Sequence, residues 1–109
     1  MSGVAPLRPA TSSYALSVPE RLVFRRHALE RMAQRRVTVD DVRRILDSGA
    51  VIREYPDDRP FPSRLTLGWL GERPVHVVSA VDAIDATTII ITVYEPDRTV
   101  WDETFRRKR

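Results

Sequence analysis

The sequence predicts an α+β fold in which a short N-terminal strand and a two-helix hairpin pack on a mainly antiparallel sheet of four to five strands. Two observations predict this class. Apolar residues recur with the helical period of 3.6 in residues 27–48, and the period changes to 2 after Gly49. Near the end of the chain, the run TTIIITVY is dense in β-branched residues, which is typical of an interior strand covered on both faces. The predicted order of elements is β-α-α-β-β-β-β.

Length and composition predict one folded domain with short additions at both ends. The 109 residues suffice for a single core, and no apolar run reaches the ~20 residues that a membrane helix needs. Residues 1–19 are rich in Pro, Ser and Ala without periodicity, which predicts a flexible N-terminal arm. We expect the domain to span residues 20–105 and a free basic tail to follow at residues 106–109. The N-terminus lacks the pattern of a secretory signal, so we expect a cytoplasmic protein without a membrane partner.

The first two predicted elements are a short strand and an amphipathic helix. A short apolar run at residues 22–24 predicts an edge strand. The spacing of the apolar residues that follow predicts a helix over residues 27–36. The opposite sides of this helix differ in polarity, so one side is expected to pack on the sheet. The apolar side comprises Ala28, Leu29, Met32 and Ala33.

The second helix is predicted over residues 39–48. Thr38 and Asp41 have the spacing of a capping box at its N-terminus, and Gly49 is a favourable residue to end it. Its apolar stripe is formed by Val39, Val42, Ile45 and Leu46. The short connection between two amphipathic helices predicts a helical hairpin that covers the sheet.

Four strands are predicted after Gly49. A turn at residues 70–73 joins the second and third of them into a hairpin, and a proline-rich segment at residues 56–63 interrupts the first connection. Trp101 and Phe105 are candidates to dock the C-terminal end of the chain on the domain. The strands are predicted at residues 50–55, 64–69, 75–81 and 87–94.

Basic and acidic residues are separated along the chain. Residues 21–36 contain six Arg and one acid, the last five residues are FRRKR, and residues 40–58 contain six acids against three Arg. Because the net charge is only +3, this separation matters more than the total, and it predicts an anionic partner, either RNA or an acidic protein. Seventeen of the eighteen basic residues are Arg, a bias that a GC-rich genome alone can produce.

One face of the first helix carries three candidate catalytic residues. His27, Arg31 and Arg35 are spaced i, i+4 and i+8, so they follow one line along the helix. Imidazole transfers protons near neutral pH, and guanidinium binds two phosphate oxygens at once. This combination suits cleavage of RNA through the ribose 2′-hydroxyl without a metal. The alternative interpretation is a solvated helix face without a catalytic role.

Further candidates lie on the predicted strands. His76 stands among valines, so it is either a hydrogen-bonded core residue or a second catalytic or substrate-binding histidine. Tyr94 ends the last strand with Thr92 on the same face, where it can donate a proton or stack on a base; the alternative is a core tyrosine at the sheet margin. Arg64, just after the proline-rich segment, is a candidate phosphate contact.

The composition predicts neither a metal nor another cofactor. The two histidines lack the companion ligands of a zinc site, and the absence of cysteine excludes disulfides and thiolate ligands. The chain also has no glycine-rich phosphate loop. Trp69 and Trp101 are interpreted as packing residues rather than as platforms for bases.

These motifs together resemble a small prokaryotic family of unknown function. The helix motif His-Ala-x-x-Arg-Met-x-x-Arg of that family is present here as His27–Arg35. The resemblance covers residues 22–109, about four-fifths of the chain. Also similar are Gly49 and the segments Tyr55–Pro60, Pro74–Val78 and Thr92–Asp97.

Families of this kind are grouped with the RelE/ParE-like toxins of type II toxin–antitoxin systems. The resemblance therefore implies a RelE-type β-α-α-β-β-β arrangement and metal-free cleavage of mRNA, free or on the ribosome, by groups on the concave side of the sheet. It implies two partners, RNA and a cognate antitoxin of the zinc-finger, helix-turn-helix kind. The chain differs from RelE-type enzymes in lacking lysines in the catalytic region and a C-terminal tyrosine. The residues carried over are His27, Arg31, Arg35, His76 and Tyr94.

The leading hypothesis is a toxin-like, metal-independent endoribonuclease, that is, an mRNA interferase of a type II toxin–antitoxin module. In this hypothesis His27 exchanges a proton with the 2′-hydroxyl or the leaving group, while Arg31 and Arg35 clamp the phosphate. Tyr94 donates a proton or stacks on a base. Two alternatives stay open: a non-catalytic module that binds RNA or a protein, and a ParE-like poison of a protein target.

Overall fold

The computed structural model describes residues 21–109, which form two helices and five strands. The α+β class and the predicted order of elements are confirmed, and the arm predicted at residues 1–19 lies outside the described residues. No helix within residues 21–109 has the length and apolar character needed to span a membrane. The elements are β1 (Arg21–Phe24), α1 (Arg26–Arg35), α2 (Val39–Ser48), β2 (Ala50–Tyr55), β3 (Ser63–Leu70), β4 (Arg73–Asp82) and β5 (Thr87–Tyr94).

The strands form one mixed sheet with the order β1-β5-β4-β3-β2. β1 pairs with β5 in parallel, with Phe24 opposite Ile90, and the other three pairs are antiparallel. The predicted edge strand and the predicted hairpin of β3 and β4 are thus confirmed. β5 is an interior strand, as its β-branched sequence predicts, although β4 occupies the middle of the sheet.

Both helices cover the same side of the sheet, called here the helix face. It is the side on which Val75, Val77 and Val93 point, and these valines form one buried cluster with α1 and α2 residues. Because side chains alternate along a strand, their neighbours His76 and Tyr94 point to the other side. That other side, which also carries Leu65 and Leu67, is called the tyrosine face.

The buried stripe of α1 is narrower than the sequence predicts. Ala28 and Met32 are buried as expected, but Ala33 is exposed and 48% of the surface of Leu29 remains accessible. The position of α1 on the sheet explains why Leu29 and Ala33 are exposed. α1 packs mainly on β5, the second strand from the β1 edge, so the sheet reaches only the central part of its apolar arc.

Local signals fix both ends of α2. The Thr38 hydroxyl accepts a hydrogen bond from the Asp41 N–H at 3.0 Å, and the Asp41 carboxylate accepts one from the Thr38 N–H at 2.9 Å, which confirms the capping box. Gly49 ends the helix with an extended backbone. A Cβ there would lie 2.5 Å from the carbonyl oxygens of Ile45 and Leu67, so close packing rather than a left-handed turn requires this glycine.

The C-terminal segment, residues 96–109, folds over the tyrosine face. Trp101 and Phe105 are 4% and 3% exposed and pack on Leu65 and Leu67, which confirms their predicted docking role. The prediction of a free end at residues 106–109 is wrong. Trp101 pairs with Lys108 across a β-bridge, and the backbone N–H of residue 109 donates to the carbonyl of residue 100 at 2.8 Å. Burial of the Trp101 and Phe105 rings brings these two stretches of backbone together.

Candidate active site

The strand register brings His76, Thr92 and Tyr94 to the tyrosine face. Tyr94 of β5 lies opposite His76 of β4, and Thr92 lies opposite Val78. Thr92 and Tyr94 are both partly buried, whereas His76 is fully buried. The predicted sharing of one face by Thr92 and Tyr94 is therefore present, and His76 lies beneath them in the core.

His76 is hydrogen-bonded at both ring nitrogens. Its Nε2 lies 2.8 Å from the carbonyl oxygen of Phe105, and its Nδ1 lies 3.2 Å from the hydroxyl oxygen of Tyr94. A carbonyl oxygen only accepts, so Nε2 carries the hydrogen and donates. In the neutral ring, Nδ1 must then accept, which makes the Tyr94 hydroxyl the donor. Trp101 closes the pocket edge-on, with ring centroids 4.5 Å apart.

Burial changes the proton affinity of both partners. Loss of water around the ring lowers the pKa of His76 below 6.5, and the Phe105 carbonyl only partly opposes this change. Burial and the nearby Tyr55 hydroxyl raise the pKa of Tyr94, while the positive charge of Arg53 opposes the rise. At neutral pH the imidazole is therefore uncharged, its Nδ1 accepts the hydrogen bond from the Tyr94 hydroxyl, and the phenol keeps its proton.

The backbone at Phe105 is held in an unusual conformation. Its φ of 59° lies in the left-handed region, which costs a bulky residue on the order of 1–3 kcal/mol. Burial of the ring and the hydrogen bond from His76 offset that cost. The carbonyl of Phe105 is thereby aimed at His76 and fixes its tautomer.

Arg53 and Tyr55 complete the tyrosine face from β2. They lie opposite Leu65 and Ser63, after a register shift between Val51 and Arg53, and both are exposed. Neither residue was predicted as a site residue from the sequence. Their i, i+2 spacing in a predicted strand was a signal for a shared face, but only the strand pairings show that this is the face of Tyr94.

The candidate residues on α1 lie elsewhere. His27, Arg31 and Arg35 are all exposed on the outer side of α1, which packs on the helix face of the sheet. They are thus separated from His76 and Tyr94 by the sheet itself, so one phosphate cannot contact both groups. The structure does not support the hypothesis that they share a single centre.

Arg64 also points away from the tyrosine face. It lies opposite Ser79 in β4, and its neighbour Leu65 belongs to the tyrosine face, so strand alternation directs the exposed Arg64 side chain to the other side. Within residues 21–109, no three His, Asp or Glu side chains are grouped as metal ligands would be.

Comparison with known proteins gives a family without an assigned function. Residues 24–95, about two thirds of the chain, match DUF4258, described as a domain of unknown function. No curated protein and no solved structure matches the chain. The matched part includes His76 and Tyr94, while Trp101 and Phe105 follow it. The chain belongs to the DUF4258 family.

Proposed function

We propose that this protein is a metal-independent endoribonuclease of the toxin type, related to the RelE/ParE-like toxins, with its reaction centre on the tyrosine face. The observation that carries the proposal is the contact between the Tyr94 hydroxyl and Nδ1 of a neutral, fully buried His76. It links a partly buried phenol to a proton acceptor that solvent does not reach. Such a pair can move a proton away from a bound substrate.

The reaction follows from this arrangement. The ribose 2′-hydroxyl gives its proton to the Tyr94 oxygen as the Tyr94 proton passes to Nδ1 of His76. The 2′-oxygen forms a bond to the adjacent phosphorus, and the bond from phosphorus to the 5′-oxygen breaks. The 5′-oxygen leaves with the electron pair and takes a proton from water. The products are a 2′,3′-cyclic phosphate and a 5′-hydroxyl, and the Phe105 carbonyl stabilises the imidazolium formed at His76.

Arg53 and Tyr55 would bind the reacting phosphate. Arg53 is exposed on the tyrosine face, and its positive charge opposes the rise in the pKa of Tyr94. In this proposal its guanidinium holds nonbridging oxygens of the bound RNA. Tyr55 supplies a second hydroxyl on the same face. In this proposal the substrate is cytoplasmic mRNA, free or on the ribosome, and an antitoxin encoded beside the protein restrains it.

Removal of the Tyr94 hydroxyl tests the reaction centre. Tyr94→Phe should cleave a defined RNA at least about 100-fold more slowly than wild type, because a general acid–base group contributes at least that much. His76→Gln should lose a comparable fraction of the rate. His27→Ala is the matched control, since it removes the other histidine, and it should cleave normally. Gel analysis in excess chelator, with detection of cyclic phosphate ends, provides the readout.

Two outcomes would overturn this assignment. One is an undiminished rate for Tyr94→Phe in a protein whose unfolding curve matches wild type. The other is a loss of cleavage in His27→Ala but not in Tyr94→Phe, which would place the chemistry on α1.

A pair of arginine variants tests the phosphate contact. Arg53→Ala should reduce kcat/KM for RNA cleavage by about tenfold or more, because a charge-assisted hydrogen bond contributes roughly 1.5–3 kcal/mol. Arg64→Ala removes the same charge from the opposite side of the sheet and should have little effect. Equal losses in the two variants would indicate a general charge effect rather than a site on the tyrosine face.

A non-catalytic RNA-binding module is the second candidate function. The observation in its favour is the exposed line of His27, Arg31 and Arg35, which faces solvent on the side opposite Tyr94. A basic helix face of this kind binds phosphates without reacting with them. Salt-sensitive RNA binding that is lost in Arg31→Ala, with no cleavage products from the wild type at any concentration, would favour this candidate over the ribonuclease.

A further inference from the structure

The two tryptophans differ in their exposure to solvent. Trp101 is 4% exposed in the core of the tyrosine face, whereas Trp69 is 50% exposed at the end of β3. The Trp69 ring is nevertheless fixed, because Phe105 packs against it edge to face with centroids 5.8 Å apart. An indole held in one orientation with half of its surface in water offers a rigid apolar plane to a ligand.

An open cavity of about 170 Å³ lies beside this ring. It is formed where the end of α2 meets β3, and Gly49, Gly68, Trp69 and Arg106 are among the residues that line it. The close approach of the two elements depends on Gly68, since a Cβ there would lie 2.6 Å from the Ile45 side chain. The residues that line the cavity therefore include two glycines, one tryptophan and one arginine.

The C-terminal segment, of which Arg106 lines this cavity, is rich in positive charge. Residues 98–109 contain five basic and two acidic side chains, and Arg106 and Arg107 are both exposed. Their backbone is fixed, because the N–H of Asp102 donates to the carbonyl of Arg107 at 2.9 Å and the β-bridge at Lys108 follows. A fixed cation beside an exposed indole is complementary to a base with its phosphate.

The Trp69 side chain, which belongs to a residue lining the cavity, lies on the same face as Tyr94. Trp69 is two residues beyond Leu67, which lies opposite His76, which in turn lies opposite Tyr94. Standard strand spacings separate Trp69 from Tyr94 by roughly 7 Å along the strands and about 10 Å across them. A short stretch of single-stranded RNA spans that distance.

We propose that Trp69 and Arg106 form a subsite for one unpaired nucleobase of single-stranded RNA and its phosphate, next to the phosphate held at Tyr94. The base stacks on the Trp69 indole in the cavity, and the Arg106 guanidinium binds the phosphate that follows. The position of this subsite relative to the scissile phosphate rests on the proposed function, but the stacking itself does not. Trp69 thus has a binding role in addition to its packing on Phe105.

A 2′-O-methyl oligoribonucleotide tests the subsite, because it lacks the attacking hydroxyl and stays intact whether or not the protein is a nuclease. Titration should quench the fluorescence of Trp69, while the buried Trp101 reports on folding. Trp69→Ala should bind roughly ten- to a hundredfold more weakly, and Trp69→Phe should recover part of the affinity. Arg106→Ala should also bind more weakly, whereas Arg43→Ala, an exposed arginine of α2, should bind as wild type does.

An oligomer of the same length with abasic sugars isolates the stacking step. It should leave the Trp69 fluorescence unchanged and bind more weakly than the complete oligomer. Wild-type affinity in a folded Trp69→Ala, or equal binding of the abasic oligomer, would overturn the subsite even if RNA cleavage is intact. Self-association that is lost in Trp69→Ala, without quenching by RNA, would instead assign this surface to contacts between copies and overturn the proposal. If the protein does not cleave RNA but binds it at this subsite, only the ribonuclease proposal fails, and the oligomer still quenches the fluorescence of Trp69.

Discussion

The protonation of His76 links the stability of the fold to pH. Burial lowers its pKa in the folded protein below the ordinary value of 6.5, so between these two pKa values the unfolded chain binds a proton that the folded chain does not. The contribution of neutral His76 to the free energy of unfolding is therefore fully present above about pH 6.5. It is lost as the pH decreases from there to the lower pKa of the folded state. The largest slope that one proton can produce is about 1.4 kcal/mol per pH unit.

Urea unfolding between about pH 5 and pH 7.5 tests this linkage. The free energy of unfolding of wild type should decrease below pH 6.5, and His76→Gln should lose this decrease whatever its absolute stability. Asp41, Asp97 and Asp102 do not interfere, because hydrogen bonds hold their pKa values below 3.8. His27→Gln, which removes the other histidine and leaves His76 in place, is the comparison variant. A pH slope that persists in His76→Gln would contradict the assignment.

Residue spacing predicted which side chains of one strand share a face, but not which residues of different strands lie next to one another. Alternation along β5 correctly groups Thr92 with Tyr94, because neighbouring side chains of one strand are related by local geometry. The placement of Arg53 on the same face as Tyr94 involves three strand pairings and a register shift, none of which is a local property. The residues of the candidate site were therefore only partly predictable from the sequence.

At the scale of elements, the packing of α2 on β3 depends on the absence of one side chain. Gly68→Ala should lower the free energy of unfolding by about 1–3 kcal/mol, because the added Cβ overlaps the Ile45 side chain and α2 must move. Gly71→Asn is the control at the hairpin turn. Its φ of 66° is one that Asn tolerates, and nothing lies within 4 Å of the added Cβ. Equal losses in urea unfolding of the two variants would contradict this interpretation.

The C-terminal segment should contribute strongly to stability through Trp101. Trp101→Ala should cost about 3–5 kcal/mol, because it empties the centre of the cluster on the tyrosine face. Trp69→Ala, which removes the same side chain from a half-exposed position, should cost less than roughly half as much. Thermal or urea unfolding measures both, and a comparable loss in the two variants would show that the segment does not cover the core as described.

The elements themselves were predictable because their signals are local. The capping box of α2, the alternation of β3 and β4, and the β-branched sequence of β5 are signals within a few residues, and all four elements form as predicted. The ordered backbone of the C-terminal residues was not predictable in the same way. Basic composition suggested a free tail, but burial of Phe105 decides the path of the backbone.

At the scale of the molecule, positive charge lies on two surfaces. The line of Arg31 and Arg35 is on the helix side, and the arginines of the C-terminal segment are on the tyrosine face. α1 packs on β5, and within residues 21–109 the edge strand β1 is the one strand beyond β5. If the protein binds RNA as proposed, a long strand can pass around the β1 edge and contact both surfaces.

The salt dependence of RNA affinity tests the contribution of α1. For single strands, the slope of log K against log salt changes by about 0.7 for each phosphate contact. The double variant Arg31→Gln/Arg35→Gln should therefore reduce the slope by about 1.4 with a long RNA, and Arg43→Gln should leave it unchanged. An unaltered slope in the double variant would show that α1 does not contact the RNA.

The sequence by itself determined the α+β class, the order of the elements, the caps of α2 and the partition of strand residues between two faces. These properties depend on periodicity and on interactions between residues close in the chain. Only the tertiary structure decided that Tyr94 meets His76, that the Phe105 carbonyl fixes the imidazole, and that His27 lies on the other side of the sheet. Those contacts depend on strand order, register and the side on which each segment packs, and residues far apart in the chain set them together.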